Sequence, residues 1–366
     1  MVWVPDVADV RVESAAKYYG SLAAVESVST TFREGTVTVL LGPSGCGKTT
    51  LMRMIAGLEK PSAGRIYIGD RDVTKDSTSD RKIGMVFQYP VVYRGTSVER
   101  NIELPLIAAK IAAAERKRRV DNVAEIVGIT ELLKLSVDRL DNAGRQKVAV
   151  AREVARQPEV LLFDEPITNV DLTSKLELKR SLKNLFASLQ QTIIYVTHDQ
   201  TEAMSLADTI ALMNKGRIVQ LGAPRDIYSQ PEDIFAGWFL GSPGMNFLTG
   251  CFIVEHGQLL SPLLVAPLPV NENAVHAKAL GIRPERVRMS LQPTDSGVPA
   301  EVLTRAITIG GRILLELKVQ DVTLKAVVDD NLAGAVGDQM WMSLPPSELR
   351  LFGADDRVID ADLGGL

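Results

Sequence analysis

The sequence predicts an α/β domain built on a mostly parallel sheet, followed by a small all-β domain. Three observations carry that prediction. Apolar runs without alternation recur at residues 36–41, 160–163 and 192–197, the pattern of strands buried on both faces. Longer stretches of helical periodicity separate them. Beyond Gly241-Ser242-Pro243-Gly244 prolines cluster, and the apolar runs become short and regularly spaced between turn residues, which suits a barrel.

Taken in order, the predicted strands of the first domain cover residues 36–41, 65–68, 82–87, 160–163 and 192–197. Residues 210–213 and 217–221, joined by Asn214-Lys215-Gly216, read as a hairpin whose turn needs positive φ. Residues 97–156 carry helical periodicity and few strand runs, and predict an inserted helical subdomain. In the second domain the strand-like runs are 277–281, 302–309, 313–319, 322–328 and 340–344, with Gly310-Gly311 turning a hairpin. The expected division is 1–240 for the first domain, 241–246 for a linker and 247–366 for the second.

Bulk properties narrow the function classes. The 366 residues suffice for one large and one smaller domain. With 41 Lys and Arg against 45 Asp and Glu, the net charge is −4, so nucleic acid is not an expected partner. The run Arg116-Lys117-Arg118-Arg119 lies among Glu115, Asp121 and Glu125 and is expected to be a solvated helix face. No apolar run approaches the roughly 18 residues that span a bilayer. The N-terminal text has neither the basic nor the apolar region of a secretion signal. Cys46 and Cys251 are the two cysteines, expected as free thiols in a reducing cytosol.

Three segments carry chemistry. Gly42-Pro43-Ser44-Gly45-Cys46-Gly47-Lys48-Thr49-Thr50 follows a buried strand and opens a helical pattern, the context a phosphate-binding loop requires. Its glycines let backbone N–H groups converge on phosphate oxygens. Lys48 can reach the β- and γ-phosphates and Thr49 can offer its hydroxyl to Mg²⁺. Asp164-Glu165 ends the apolar run at 160–163, where ligands bind in doubly wound folds. Asp164 is the candidate Mg²⁺ ligand and Glu165 the candidate for polarising a water. His198 follows the strand run at 192–197 directly; alone, it would more often be structural than catalytic.

The first two of these segments resemble the Walker A and Walker B motifs of ATP-binding cassette (ABC) ATPases, and residues 196–204 resemble the switch-histidine segment of that family. The resemblance implies a P-loop NTPase ABC cassette, with a RecA-like core and helical subdomain. His198 would then contact the γ-phosphate, and Gln88 would be the glutamine that touches Mg²⁺ or the attacking water. Thr168-Asn169-Val170-Asp171 resembles the loop that crosses to the partner ATPase through Asn169 and Asp171. Tyr19, with Tyr18 as competitor, resembles the aromatic that stacks on adenine. The segments Gly281-Ile282-Arg283-Pro284-Glu285 and 344–352 are similar to parts of the OB-like regulatory domain of the maltose-importer class. The chain as a whole is thus expected to be an ATP- and Mg²⁺-dependent ATPase on the cytoplasmic face of the membrane. It would dock on two transmembrane permease subunits and act indirectly with a solute-binding protein. The implied solutes are carbohydrates, polyols such as glycerol, or sugar and glycerol phosphates. Iron, sulfate and polyamine importers share the architecture, and a nucleotide-binding partner with little turnover is the alternative from another class. A soluble ABC protein of DNA repair is disfavoured by the single cassette.

Between the Walker motifs the family reads Leu-Ser-Gly-Gly-Gln, whereas this chain reads Leu140-Asp141-Asn142-Ala143-Gly144-Arg145-Gln146. In ABC dimers that element binds the γ-phosphate held by the other subunit, through a hydroxyl and N–H groups at a helix N-terminus. Asp141 offers a carboxylate to an anion instead. At about 4 Å and an effective dielectric near 20, such a pair costs roughly 4 kcal/mol. Asn142 and Ala143 add Cβ atoms where close approach needs Gly. The expectation is a heterodimer with a second ATPase subunit that has kept the signature.

Overall fold

Six strands hydrogen-bonded in the order β10-β9-β3-β8-β7-β6 organise the N-terminal part of the chain. The computed structural model describes residues 7–168, 172–308 and 310–363. Strands β3 (Val37–Leu41), β6 (Ile83–Val86), β7 (Val160–Asp164), β8 (Thr192–Thr197) and β9 (Thr209–Asn214) run parallel. Every residue of β3, β7 and β8 is buried, which is why these runs show no alternation. β10 (Arg217–Gly222) closes the antiparallel hairpin with β9. Lys215 and Gly216 take φ of 46° and 78° there, as the two-residue turn requires.

A second sheet runs in the order β2-β1-β4-β5, of which the sequence predicted only residues 65–68. It comprises β1 (Val10–Tyr19), β2 (Leu22–Phe32), β4 (Ala63–Ile68) and β5 (Arg71–Asp72). The β1–β2 ladder shifts register between Val12 and Ala15 and again up to Tyr18. Ser14 and Ser27 both adopt φ of 48°. Such bulges flip the side-chain phase and erase the period-2 signal.

Helix α1 (Lys48–Ala56) follows β3. Its C-terminus is closed twice. Gly57, at φ 79°, returns its N–H to Arg53 O and Met54 O, and Arg81, 1% exposed, donates from Nη1 to Met54 O and Ile55 O, each at 2.7 Å. A guanidinium placed on the last carbonyls satisfies orphan acceptors and matches the helix dipole. Helices α2 (Val98–Ala108), α3 (Ala113–Val127) and α4 (Asn142–Ala155) form the helical subdomain. On α3, Arg118 and Arg119 both bond Glu115, and Lys117 pairs with Asp121 at 2.8 Å. Arg116 instead bonds Glu103 of α2 at 2.9 Å, so the run is solvated at Lys117 and Arg118, while Arg116 and Arg119 are half-buried. Helices α5 (Leu172–Ser188) and α6 (Gln200–Leu206) flank β8 in sequence. Among the described residues no helix is long and apolar enough to cross a membrane.

The chain divides into compact units Met1–Ile227 and Tyr228–Leu366, earlier than the expected boundary at 240. Arg283, 4% exposed, ties the segment after Ile227 to the second unit. Its guanidinium bonds Tyr228 O, Gly237 O at 2.8 Å and Leu240 O, and lies 4.1 Å from the Tyr228 ring centroid. The helix Ile234–Phe239 is thereby held within the second unit. Burial, then the hydrogen bond to Glu285, pushes the Tyr228 phenol up to about 12. The second unit is all-β apart from short helices. One sheet of five strands includes Val298–Ile307, Ile313–Val319 and Val322–Val328, and sheets of four and three strands accompany it. Leu280, Ile282, Leu315, Leu317, Met340 and Leu351 centre its core, each fully buried.

Replacing Arg81 by Met strands the Ile55 carbonyl and leaves Met54 O with the Gly57 N–H alone, and should cost about 2 kcal/mol. A lower urea midpoint for the transition of the N-terminal unit, with the second unit unmoved, is the expected reading.

Candidate active site

The Gly-rich loop between β3 and α1 is shaped by contacts only glycine tolerates. A Cβ on Gly42 would lie 2.2 Å from Met213 O and 2.8 Å from Cys46 Sγ. On Gly47, at φ 105°, it would meet Ala24 O at 2.3 Å. Gly45 adopts φ 78°, and Cys46 N donates to Pro43 O at 3.3 Å to close the turn. Ser44 and Gly45 are exposed. Gly47 caps α1 without a side chain, so the first N–H groups, from Lys48 through Thr49 and Thr50, are left to an anion. Lys48 is 5% exposed and its Nζ donates to Gly42 O at 2.8 Å and Pro43 O at 2.9 Å. The positive end of a helix, a lysine and an open backbone cradle fit a polyphosphate. Cys46 and Cys251 are both buried free thiols, and burial pushes each up from the usual thiol range.

Register places the acidic pair beside this loop. Asp164 stands opposite Val196 of β8, and Leu41 opposite Thr197. Thr49 Oγ1 donates to Asp164 Oδ1 at 3.2 Å. Burial raises the Asp164 carboxyl above the usual range, opposed by the Thr49 hydrogen bond and the charges of Arg53 and Lys48. A hydroxyl and a carboxylate in this contact are the two protein oxygens that a largely hydrated Mg²⁺ would take beside phosphate oxygens. Glu165 adopts φ 44° while its N–H donates to Val196 O at 3.0 Å. The left-handed backbone turns its carboxylate off the strand line. There Glu165 Oε2 lies 3.1 Å from His198 Nδ1 and accepts from Thr168 Oγ1 at 3.2 Å.

The platform under His198 involves residues that sequence reasoning missed. Glu202, 3% exposed, accepts from Tyr195 OH at 2.9 Å and Thr197 Oγ1 at 2.8 Å. Lys175 of α5 bridges Asp199 at 2.9 Å and Glu202 at 3.2 Å. Asp199 caps α6 through the N–H groups of Thr201 and Glu202. Burial alone would raise its carboxyl, but the bonds from Thr201 and Lys175 outweigh it and hold the group well below the usual range. The available signal was the acidic residue four positions after His198, in phase with strand hydroxyls.

The remaining candidates are placed as follows. Gln88 lies two residues beyond β6, whose Val86 pairs with Phe163. Tyr19 ends β1 with Lys17 Nζ 5.2 Å from its ring centroid. Tyr18 and Tyr19 are almost equally exposed, 48% and 47%, so exposure does not choose between them. Asn169 and Asp171 lie outside the described residues. In the altered signature Asp141 is the N-cap of α4, and its Oδ1 accepts from Gly144 N at 2.7 Å. The carboxylate thus occupies its own helix N-terminus. Asp141 and Asn142 are exposed, whereas Ala143 is buried at 8%.

Comparison with known proteins agrees with this geometry. The family model described as ABC transporter matches residues 25–168, and that described as TOBE domain matches residues 280–352. The chain is 37% identical over 349 residues to the sn-glycerol-3-phosphate import ATP-binding protein UgpC 2 of Agrobacterium fabrum, covering 94% of this chain and 93% of that protein. It is 39% identical over 335 residues to the trehalose/maltose import ATP-binding protein MalK of Thermococcus litoralis, covering 87% and 90%. A solved structure of cbiO1 from Clostridium perfringens, part of the ABC transporter complex cbiONQ, is 28% identical. It aligns with a TM-score of 0.56 over 60% of this chain and 90% of that one. The chain therefore belongs to the ABC transporter family, among its import ATP-binding proteins with a C-terminal TOBE domain, and is an ATPase.

Proposed function

We propose that this chain is the hydrolysing partner in an asymmetric pair of ATPases that drives import of a carbohydrate, a polyol or a sugar or glycerol phosphate. The names of its relatives support the solute class. They also support docking on membrane-spanning permease subunits at the cytoplasmic face. The observation that carries the asymmetry is the 2.7 Å bond from Gly144 N to Asp141 Oδ1.

The residues divide the work as follows. Backbone N–H groups of residues 42–50 and the Lys48 ammonium bind the phosphates, and Tyr19 stacks on the adenine. Thr49, Asp164 and Gln88 would hold Mg²⁺, which would supply charge neutralisation for phosphoryl transfer. Glu165 orients the attacking water and takes up its proton. His198, fixed by the α6 platform, contacts the γ-phosphate and keeps Glu165 aimed through their 3.1 Å contact.

This site still needs a signature donated from across the dimer. Two copies of this chain would each present Asp141 there, a carboxylate already bound to the N–H it blocks. Reverting the element is sterically coupled. A Cβ on Gly144 would lie 3.0 Å from Asp141 Oδ1 and 3.2 Å from Leu140 Cβ, so a Gln at 144 requires both neighbours to yield by a few tenths of an ångström. A second ATPase with Leu-Ser-Gly-Gly-Gln completes the Lys48 site of this chain, and the opposite site stays weak. The TOBE-bearing unit is a regulatory module, and nucleotide binding should survive its removal.

Three outcomes test the reading. Glu165→Gln in the purified importer should lower ATP turnover by about 10²- to 10⁴-fold while nucleotide binding persists; unchanged turnover would leave a silent nucleotide-binding partner as the better reading. The chain purified alone should turn over ATP slowly and without cooperativity, and robust cooperative hydrolysis would refute the asymmetric pair. Restoring the family signature with Asp141→Ser, Asn142→Gly, Ala143→Gly and Gly144→Gln together should raise the activity of the isolated chain at least about tenfold, if the lost electrostatic term exceeds about 1.4 kcal/mol.

A further inference from the structure

We propose that Gln146 of α4 is a positioning residue for catalysis, acting on Gln88 through the backbone carbonyl that precedes it. Gln146 is 1% exposed, and its Nε2 donates to Phe87 O at 3.0 Å. Its Oε1 is buried, and no donor among the described residues reaches it. A buried amide with half of its hydrogen bonding unmet is less stable than an apolar side chain of the same size. Stability therefore does not account for a glutamine here. Its one bond falls on the residue next to Gln88.

A second contact shows that the hold is a clamp. Six residues further along α4, Arg152, 7% exposed, donates from Nη1 to Val91 O at 2.8 Å, and its guanidinium lies 5.3 Å from the Tyr93 ring centroid. Gln88, Tyr89 and Pro90 form an arch between the two anchored carbonyls. β6 fixes one foot of that arch to β7, and α4 grips both. Tyr89 crowns it, 69% exposed. Because the arch is bonded to α4, a movement of the helical subdomain carries Gln88 relative to Asp164. With Arg152 as the far anchor, Gln146 sets the near one, and a displacement of about 1 Å at a catalytic group is enough to slow chemistry severely.

The inference rests on the proposed role of Gln88, and the test separates the two. Gln146→Met and Gln146→Glu, in the full chain assembled in its native importer, both remove the Nε2 donor. Each should lower kcat about tenfold with the KM for ATP within about twofold, the signature of an interaction made in the transition state. The melting temperature of Gln146→Met should stay level or rise, which a purely structural glutamine would not allow. In a Gln88→Ala background the Gln146 substitution should add no further loss, because both act through one group. An unchanged kcat in both Gln146 variants, or losses that add to that of Gln88→Ala, would overturn the proposal while leaving the role of Gln88 intact. Full turnover in Gln88→Ala alone would remove that role and the proposal with it.

Discussion

The parallel register of β3, β8, β7 and β6 is the constraint on which the site depends. Adjacent strands end in step, with Leu41 opposite Thr197, Asp164 opposite Val196 and Val86 opposite Phe163. The Gly-rich loop, His198, the Asp164-Glu165 pair and Gln88 therefore leave the sheet along one edge. Their separation in sequence becomes a row in space. Burial on both faces makes the strands stiff, so the row holds without help from the loops that follow it.

Electrostatics then distributes roles along the row. The open N-terminus of α1 and Lys48 supply positive potential, and burial raises the Asp164 carboxyl, with Thr49, Arg53 and Lys48 opposing that rise only in part. Glu165 is turned off the strand by its left-handed backbone and meets His198. The same physics acts in reverse at α4. There an N-terminus that could receive a phosphate is already satisfied by the Asp141 carboxylate, so one helix binds an anion from outside and the other keeps its own.

What the sequence made legible follows from how local each cause is. The buried strands, the Gly-rich loop and the hairpin at Lys215-Gly216 are set by neighbouring residues and could be read directly. Of the sheet of β1, β2, β4 and β5 only residues 65–68 of β4 could be, because bulges at Ser14 and near Lys17 break the alternation of β1 and β2. That the helix Ile234–Phe239 is held by Arg283, more than forty residues away, is a contact no local pattern announces. The site residues were readable by type, yet their supports were not. Glu202, Lys175, Gln146 and Arg152 act through contacts made only once distant elements pack. The capping role of Asp141 follows from its residue type at a helix start, although the charge it brings drew the attention first.

The central claim is that ATP is hydrolysed at the Lys48 loop of this chain while its own signature stays unused. Trapping by orthovanadate of a photoreactive ADP in the native importer, followed by identifying the labelled ATPase, tests it most directly. The account predicts label on this chain, at the Gly-rich loop, with little on its partner. Equal labelling of both ATPases, or label confined to the partner, would contradict it.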